Sequence, residues 1–161
     1  MVILLMGVAG SGKTTVGQLL AQELGWVFLD ADDVHPPANI AKMAAGQPLT
    51  DADRAPWLAA LRDRIENHLS RNEDAVVTCS ALKARYRDVI VVDSNRVKVV
   101  HLTGTPELLR SRIGHRVGHF MSPAMLDSQL AALEAPSDAL TLDVICSPAE
   151  LVLDIRRVFH L

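Results

Sequence analysis

The sequence predicts an α/β fold, a three-layer sandwich in which helices cover both faces of a five-stranded parallel sheet. Three observations predict it. Short apolar runs alternate with helical patterns in the order β-α-β-α-α-β-α-β-α-α-β-α, and strands separated by helices imply parallel pairing. The first apolar run, Val2 to Met6, ends in Gly7 and leads four residues later into Gly12-Lys13-Thr14, the spacing G-x-x-x-x-G-K-[ST]. Polar residues then follow each of the first three predicted strands, at the edge where such sheets hold ligands.

The opening motif is a phosphate-binding P-loop in its expected setting, with a strand before it and a helix after it. Its glycines let backbone N–H groups fold inward around phosphate oxygens. Lys13 supplies a point charge for the β- and γ-phosphates, and the Thr14 hydroxyl is a ligand for Mg²⁺. The following helix aims the positive end of its dipole at the same anion, while Val16, Leu19, Leu20 and Leu24 keep one face on a core.

Gly25 is a C-cap signal, and Trp26 to Leu29 reads as strand two, ending in the acidic Asp30-Ala31-Asp32-Asp33. His35-Pro36-Pro37 breaks the chain before a short helix through Ile40 and Met43, stopped by Gly46 and Pro48. Thr50-Asp51-Ala52-Asp53 starts a longer helix with Trp57, Leu58, Leu61, Ile65 and Leu69 on one face. Ala75 to Thr78 is strand three and Ala81 to Asp88 a helix; Val89 to Val92 either finishes that helix or forms a strand of its own. Val97 to Leu102 is strand four, and Val144 to Cys146 a short fifth. Thr105-Pro106, Ser122-Pro123 and Ser147-Pro148 each place a hydroxyl at a helix N-cap and proline at the first position, and Glu150 completes a capping box in the last.

At 161 residues the chain is read as one domain, residues 1–161, with a lid at about 112–122. Apolar residues form 49% and charged residues 22% of it, an ordinary globular balance. A formal charge of −3 argues against a nucleic-acid partner held by phosphate neutralisation. No apolar run approaches the ~20 residues of a membrane span. The N-terminal apolar run lacks a basic region and enters the P-loop directly, so it reads as a strand rather than a signal peptide. Cys79 and Cys146 each close a predicted strand, and two thiols make no disulfide framework; a cytoplasmic location is expected.

Three polar groups bear on chemistry. Asp30 and Asp32, two apart after a strand, point to one side: one carboxylate suits the Mg²⁺ shell and the other an acceptor alcohol. Arg54, Lys83 and Arg87 suit an anionic acceptor, with Lys83 and Arg87 sharing a helical face, or else form surface salt bridges with Asp51, Asp53 or Asp88. Arg110, Arg112, Arg116 and His119, near glycines 114 and 118, read as a mobile lid bringing positive charge onto a transferring phosphoryl group, or as an exposed basic helix. His101 in strand four reads as a core residue.

Four stretches carry a resemblance: GVAGSGKT at 7–14, LDADDVHPPANIAKMAAGQPLTDADRAPWL at 29–58, CSALKARYRD at 79–88 and HFMSPAMLDSQLAALEAP at 119–136. Together they span most of the chain, which resembles the gluconokinase family of small P-loop kinases. The second and third are far more specific than the P-loop. The related shikimate kinases share the fold and the DxD but not those two stretches.

The resemblance implies ATP-dependent phosphorylation of D-gluconate at its 6-hydroxyl. It places Gly7, Gly10, Ser11, Gly12, Lys13, Thr14 and Thr15 around ATP, and Thr14 with Asp30 on Mg²⁺. Asp32 becomes the base, Arg116 the lid cation, and Arg112 and Pro148 the flanks of adenine. His35, Lys42, Arg54, Lys83, Arg87 and His119, with Asp32, would meet gluconate. Ala9, Thr14 and Ala31 depart from the residues common in that family without removing a required group. The family is commonly dimeric, which makes a homodimer an expectation.

Overall fold

In the computed structural model, which describes residues 1–114 and 123–161, the elements run in the predicted order. They are β1 (Val2–Met6), α1 (Lys13–Leu24), β2 (Val27–Asp30), a 3-10 turn (Ala31–Val34), α2 (Pro37–Ala44), α3 (Asp51–Ser70), β3 (Ala75–Thr78), α4 (Ala84–Ile90), β4 (Val97–Thr103), α5 (Pro106–Gly114), α6 (Pro123–Ala132), β5 (Leu140–Asp143) and α7 (Pro148–Phe159). The five strands form one sheet in the order β2-β3-β1-β4-β5, with every pair parallel. β1 is central, and its carboxyl end lies between those of β3 and β4: Leu5 faces Thr78 and Met6 faces His101. The P-loop therefore leaves the middle of the sheet.

The pleat sorts the core into two halves. Ile3 and Leu5 of β1 pack with Val16 and Leu20 of α1 and with Leu151, Val152 and Ile155 of α7. Val2, Leu4 and Met6 point the other way, onto Trp57, Leu58, Leu61 and Ile65 of α3 and Ile90 of α4. All five β1 side chains are buried, as a strand covered on both faces requires. Gly25 ends α1 in the left-handed conformation at φ 67°, and Gly46 follows α2 at φ 69°. Capping boxes start α3 at Thr50 with Asp53 and α7 at Ser147 with Glu150. Thr105 accepts from the Leu108 amide at the start of α5, whereas the Ser122 cap lies outside the described residues.

Two boundaries correct the sequence reading. The fifth strand is Leu140–Asp143, not Val144–Cys146. The Asp143 carboxylate accepts from the Ile145 amide and the Asp143 carbonyl from the Cys146 amide, so that apolar stretch turns, and Cys146 closes no strand. The helix expected from Ala81 starts only at Ala84, because Ala81 takes a left-handed φ of 44°. Lys83 is thereby the N-cap of α4 and not a helical position. The ambiguous run resolves as helix: Val89 and Ile90 end α4, Val91 caps it, and no strand forms there. Cys79 is buried and Cys146 partly buried, both as free thiols.

Candidate active site

The P-loop is shaped by close approach. Gly7 has φ 147°, and a Cβ there would sit 2.4 Å from the Leu102 carbonyl oxygen, so no side chain fits. Gly10 and Gly12 lie at φ 80° and 81°. Lys13 Nζ donates to the carbonyls of Gly7 and Val8 at 2.9 and 3.1 Å, which folds the ammonium back over the loop. The Ser11 hydroxyl is fully buried in the loop with no hydrogen-bond partner among the described residues, a polar atom for which a bound phosphate would be an acceptor.

Beside the loop, Thr14 Oγ1 donates to Asp30 Oδ2 at 3.3 Å. A hydroxyl and a carboxylate side by side are hard oxygen donors, so the pair fits Mg²⁺. The other Asp30 oxygen accepts from the Asp32 amide at 3.1 Å and so caps the 3-10 turn. That turn sets Asp32 toward the open cleft, with its side chain 86% accessible. Enclosure by the surrounding walls first, and the Asp30 charge second, raise the Asp32 pKa, while His35 and Lys13 lower it.

The turn is held from beneath. Trp57 Nε1 on α3 donates to the Ala31 carbonyl at 2.6 Å. His35 stacks on the same indole and reaches Asp32 with Nε2 3.8 Å from Oδ1. Burial lowers the His35 pKa; Asp32 opposes this and Arg54 adds to it, so the ring is neutral at pH 7. Asn39, 3% exposed, donates to the Asp53 carbonyl at 2.8 Å and locks α2 to the start of α3. Motif reading did not single out Asn39; its one signal was its place inside the 29–58 stretch.

Three cations gather around one ring. Arg54, Lys83 and Arg85 lie 5.8, 5.6 and 5.6 Å from the centre of the Tyr86 ring. Asp51 receives Lys83 at 3.2 Å and also pairs with Arg85 and the Tyr86 hydroxyl. Arg54 and Lys83 thus converge with Arg85, and both Lys83 and Arg85 are salt-bridged to Asp51. Arg87 donates to the carbonyls of Ala81 and Leu82 at 3.0 and 3.2 Å and fixes the left-handed loop. Lys42 is committed to Asp53, at 2.7 and 2.8 Å from its two oxygens. Arg85 and Tyr86 were missed because helical spacing marks neither; the CSALKARYRD stretch contains both.

His101 is buried, as expected, and burial followed by the Arg87 charge lowers its pKa. The Cys79 thiol, enclosed between the P-loop and the acidic turn, is pushed up to about 12, chiefly by burial. It stays a neutral packing group.

On the other side of the loop, a cavity of about 340 Å³ is lined by Gly10, Ser11, Gly12, Thr15, Arg112, Cys146 and Pro148, among others. Arg112 is fixed there by donation to the Val144 carbonyl at 2.6 Å. Arg110 instead pairs with Asp127 on α6 at 2.6 Å. The lid expectation covers 112–122: residues 112–114 end α5, whereas Arg116 and His119 lie outside the described residues. No helix among the described residues is long and apolar enough to cross a membrane.

An AAA domain family model matches residues 2–136. The gluconokinase of Gluconobacter oxydans is 49% identical over 136 residues, covering 84% of this chain and 76% of its own. Among solved structures, a gluconokinase from Sinorhizobium meliloti superposes with a TM-score of 0.84 at 44% identity, over 94% of this chain and 87% of its own. A sugar kinase from Janibacter reaches 0.89 at 42% identity, over 97% and 92%.

Proposed function

Because this chain belongs to the gluconokinase family of P-loop kinases, we propose that it transfers the γ-phosphoryl group of ATP to the 6-hydroxyl of D-gluconate, giving 6-phospho-D-gluconate and ADP. The observation that carries the reading is a series of polar neighbours. Thr14 bonds Asp30, Asp30 caps the turn that carries Asp32, Asp32 lies beside His35, and Arg54, whose charge acts on His35, shares the Tyr86 ring with Lys83. That order runs from a phosphate cradle through a carboxylate to a patch of cations, which suits an acceptor bearing an alcohol at one end and a carboxylate at the other.

In this reading Gly7 to Thr15 hold the triphosphate, and Arg112 and Pro148 bound the adenine cavity. Thr14 and Asp30 would hold Mg²⁺, which supplies charge neutralisation on the phosphates. Asp32 orients the acceptor hydroxyl and takes its proton, with His35 beside it at 3.8 Å. Lys13 swings from the loop carbonyls onto the phosphates. Arg54, Lys83 and Arg87, with Lys42 behind them, face the acid. Arg116 and His119 keep the roles the resemblance implies. The chain acts as one domain with a lid at 112–122, in the cytoplasm, and a homodimer is its expected assembly.

The test is ADP release from Mg²⁺·ATP with D-gluconate, with shikimate, with other sugar acids and with no acceptor. Stimulation by gluconate alone is expected. A stronger response to another acid would overturn the acceptor, and no response to any acid would overturn the kinase assignment.

A further inference from the structure

The phosphate half and the acceptor half of the site are braced by one short stretch that neither half contains. Gln129, on α6, accepts the Ala9 amide of the P-loop through Oε1 at 2.7 Å, across 120 residues of chain. Five positions on, Glu134 accepts the Ala84 amide at 2.6 Å, and its own amide donates to the Leu82 carbonyl at 2.8 Å. Those bonds hold the loop and N-cap that present Lys83 and Arg87. Leu133, between them, packs against both halves of the core.

Ala9 is 9% exposed, so its amide needs a partner inside the protein. Gln129 supplies one from outside the loop. Phosphoryl transfer depends on the spacing between donor and acceptor, which a rigid strut across both half-sites would fix.

We propose that Gln129 and Glu134 are positioning residues: Gln129 sets the shape of the nucleotide cradle, Glu134 sets the acceptor loop, and residues 129–134 hold the two at a fixed separation. The role of Glu134 rests on the kinase reading above, whereas that of Gln129 requires only that the P-loop bind nucleotide.

Gln129→Met keeps side-chain length and removes the acceptor. An unpaired buried amide in the cradle is expected to weaken ATP binding about 10-fold, read by calorimetric titration without any acceptor. The KM for gluconate should stay within twofold. Glu134→Met should do the reverse, raising the gluconate KM about 10-fold while ATP affinity holds, and Glu134→Gln, which retains an oxygen acceptor, should restore it. Thermal unfolding of each variant serves as the control.

Unchanged ATP affinity in a folded Gln129→Met protein would overturn the nucleotide arm. Loss of its cooperative melt would do so too, by making Gln129 a folding residue. Equal effects of Glu134→Met on both substrates, or no rescue by Glu134→Gln, would overturn the acceptor arm. If gluconate proves not to be a substrate, the acceptor-free titration still decides the role of Gln129.

Discussion

The imidazole of His35 lies flat on the indole of Trp57, with ring centroids 4.4 Å apart and planes 10° from parallel. The same indole donates from Nε1 to the Ala31 carbonyl. One α3 side chain therefore fixes both ends of the turn that carries Asp32. Stacking positions the His35 ring, and the hydrogen bond positions the backbone between Asp30 and Asp32.

Trp57→Phe tests that arrangement. Phenylalanine keeps an aromatic face for His35 but leaves the buried Ala31 carbonyl without its donor and a gap where the larger ring was. The loss should be about 2 kcal/mol or more, roughly 4–8 °C in Tm for a domain of this size. A drop in kcat/KM for gluconate larger than any change in ATP affinity should accompany it. A melt and two titrations check this, and an unchanged Tm would show that the turn holds itself.

Asp32→Asn should leave ATP binding intact and reduce turnover by about 10²–10⁴-fold, the range of a lost general base. In the unaltered protein the acid limb of kcat/KM should fall above the ordinary carboxylate pKa, since Asp32 is raised by its enclosure and by Asp30. Activity is lost as pH drops through that raised value, where the base becomes protonated. A pH profile of both proteins reads it, and full activity in the asparagine variant would remove Asp32 from the chemistry.

The folding skeleton was legible because each part of it is local. Strand, loop and helix around Gly12-Lys13-Thr14 follow from contiguous residues, as do the caps at Thr50, Thr105 and Ser147. The misplaced fifth strand shows the limit. Val144 to Cys146 has the composition of a strand, but Asp143 accepts two amides just beyond it and turns the chain. Ala81 likewise has helical propensity and a left-handed backbone, held by Arg87.

The candidate site's residue types can be read from the sequence, but their pairings cannot. Which cation meets which anion, and that Gln129 reaches Ala9, depend on chain segments brought together only by the sheet order. No local spacing encodes a bond of that span.

Lys42 and Asp53 give a pH prediction for stability. Hydrogen bonds from Lys42 first and Thr50 next hold the Asp53 carboxyl down to about 2, against an ordinary value of 3.8. A depressed folded-state pKa contributes stability that is fully present above the ordinary value and is lost as pH falls from about 4 toward 2. Denaturation midpoints at pH 7 and pH 3 should therefore differ, and Lys42→Met should narrow the difference without abolishing it, because the Thr50 bonds remain. An identical pH dependence in the variant would show that the pair contributes nothing.

Gly17 sets two opposed effects against each other. It lies inside α1, where alanine in place of glycine ordinarily stabilises by about 1 kcal/mol. Here a Cβ would sit 2.8 Å from Phe28 Cε2, 2.9 Å from Thr78 Cγ2 and 3.2 Å from Leu5 Cδ1. Leu5 and Thr78 are buried in the sheet, and Phe28 packs against the core beside them. Three neighbours on three strands cannot all yield, and overpacking of that kind costs about 1–3 kcal/mol. The clash should win, so Gly17→Ala is expected to be net destabilising by about 1–2 kcal/mol despite the better helix former. Because α1 carries Lys13 and Thr14 at its start, any outward shift should also weaken ATP binding. Urea unfolding with and without ATP would separate the two effects. A variant more stable than the parent would mean that α1 packs less tightly on the sheet than these distances require.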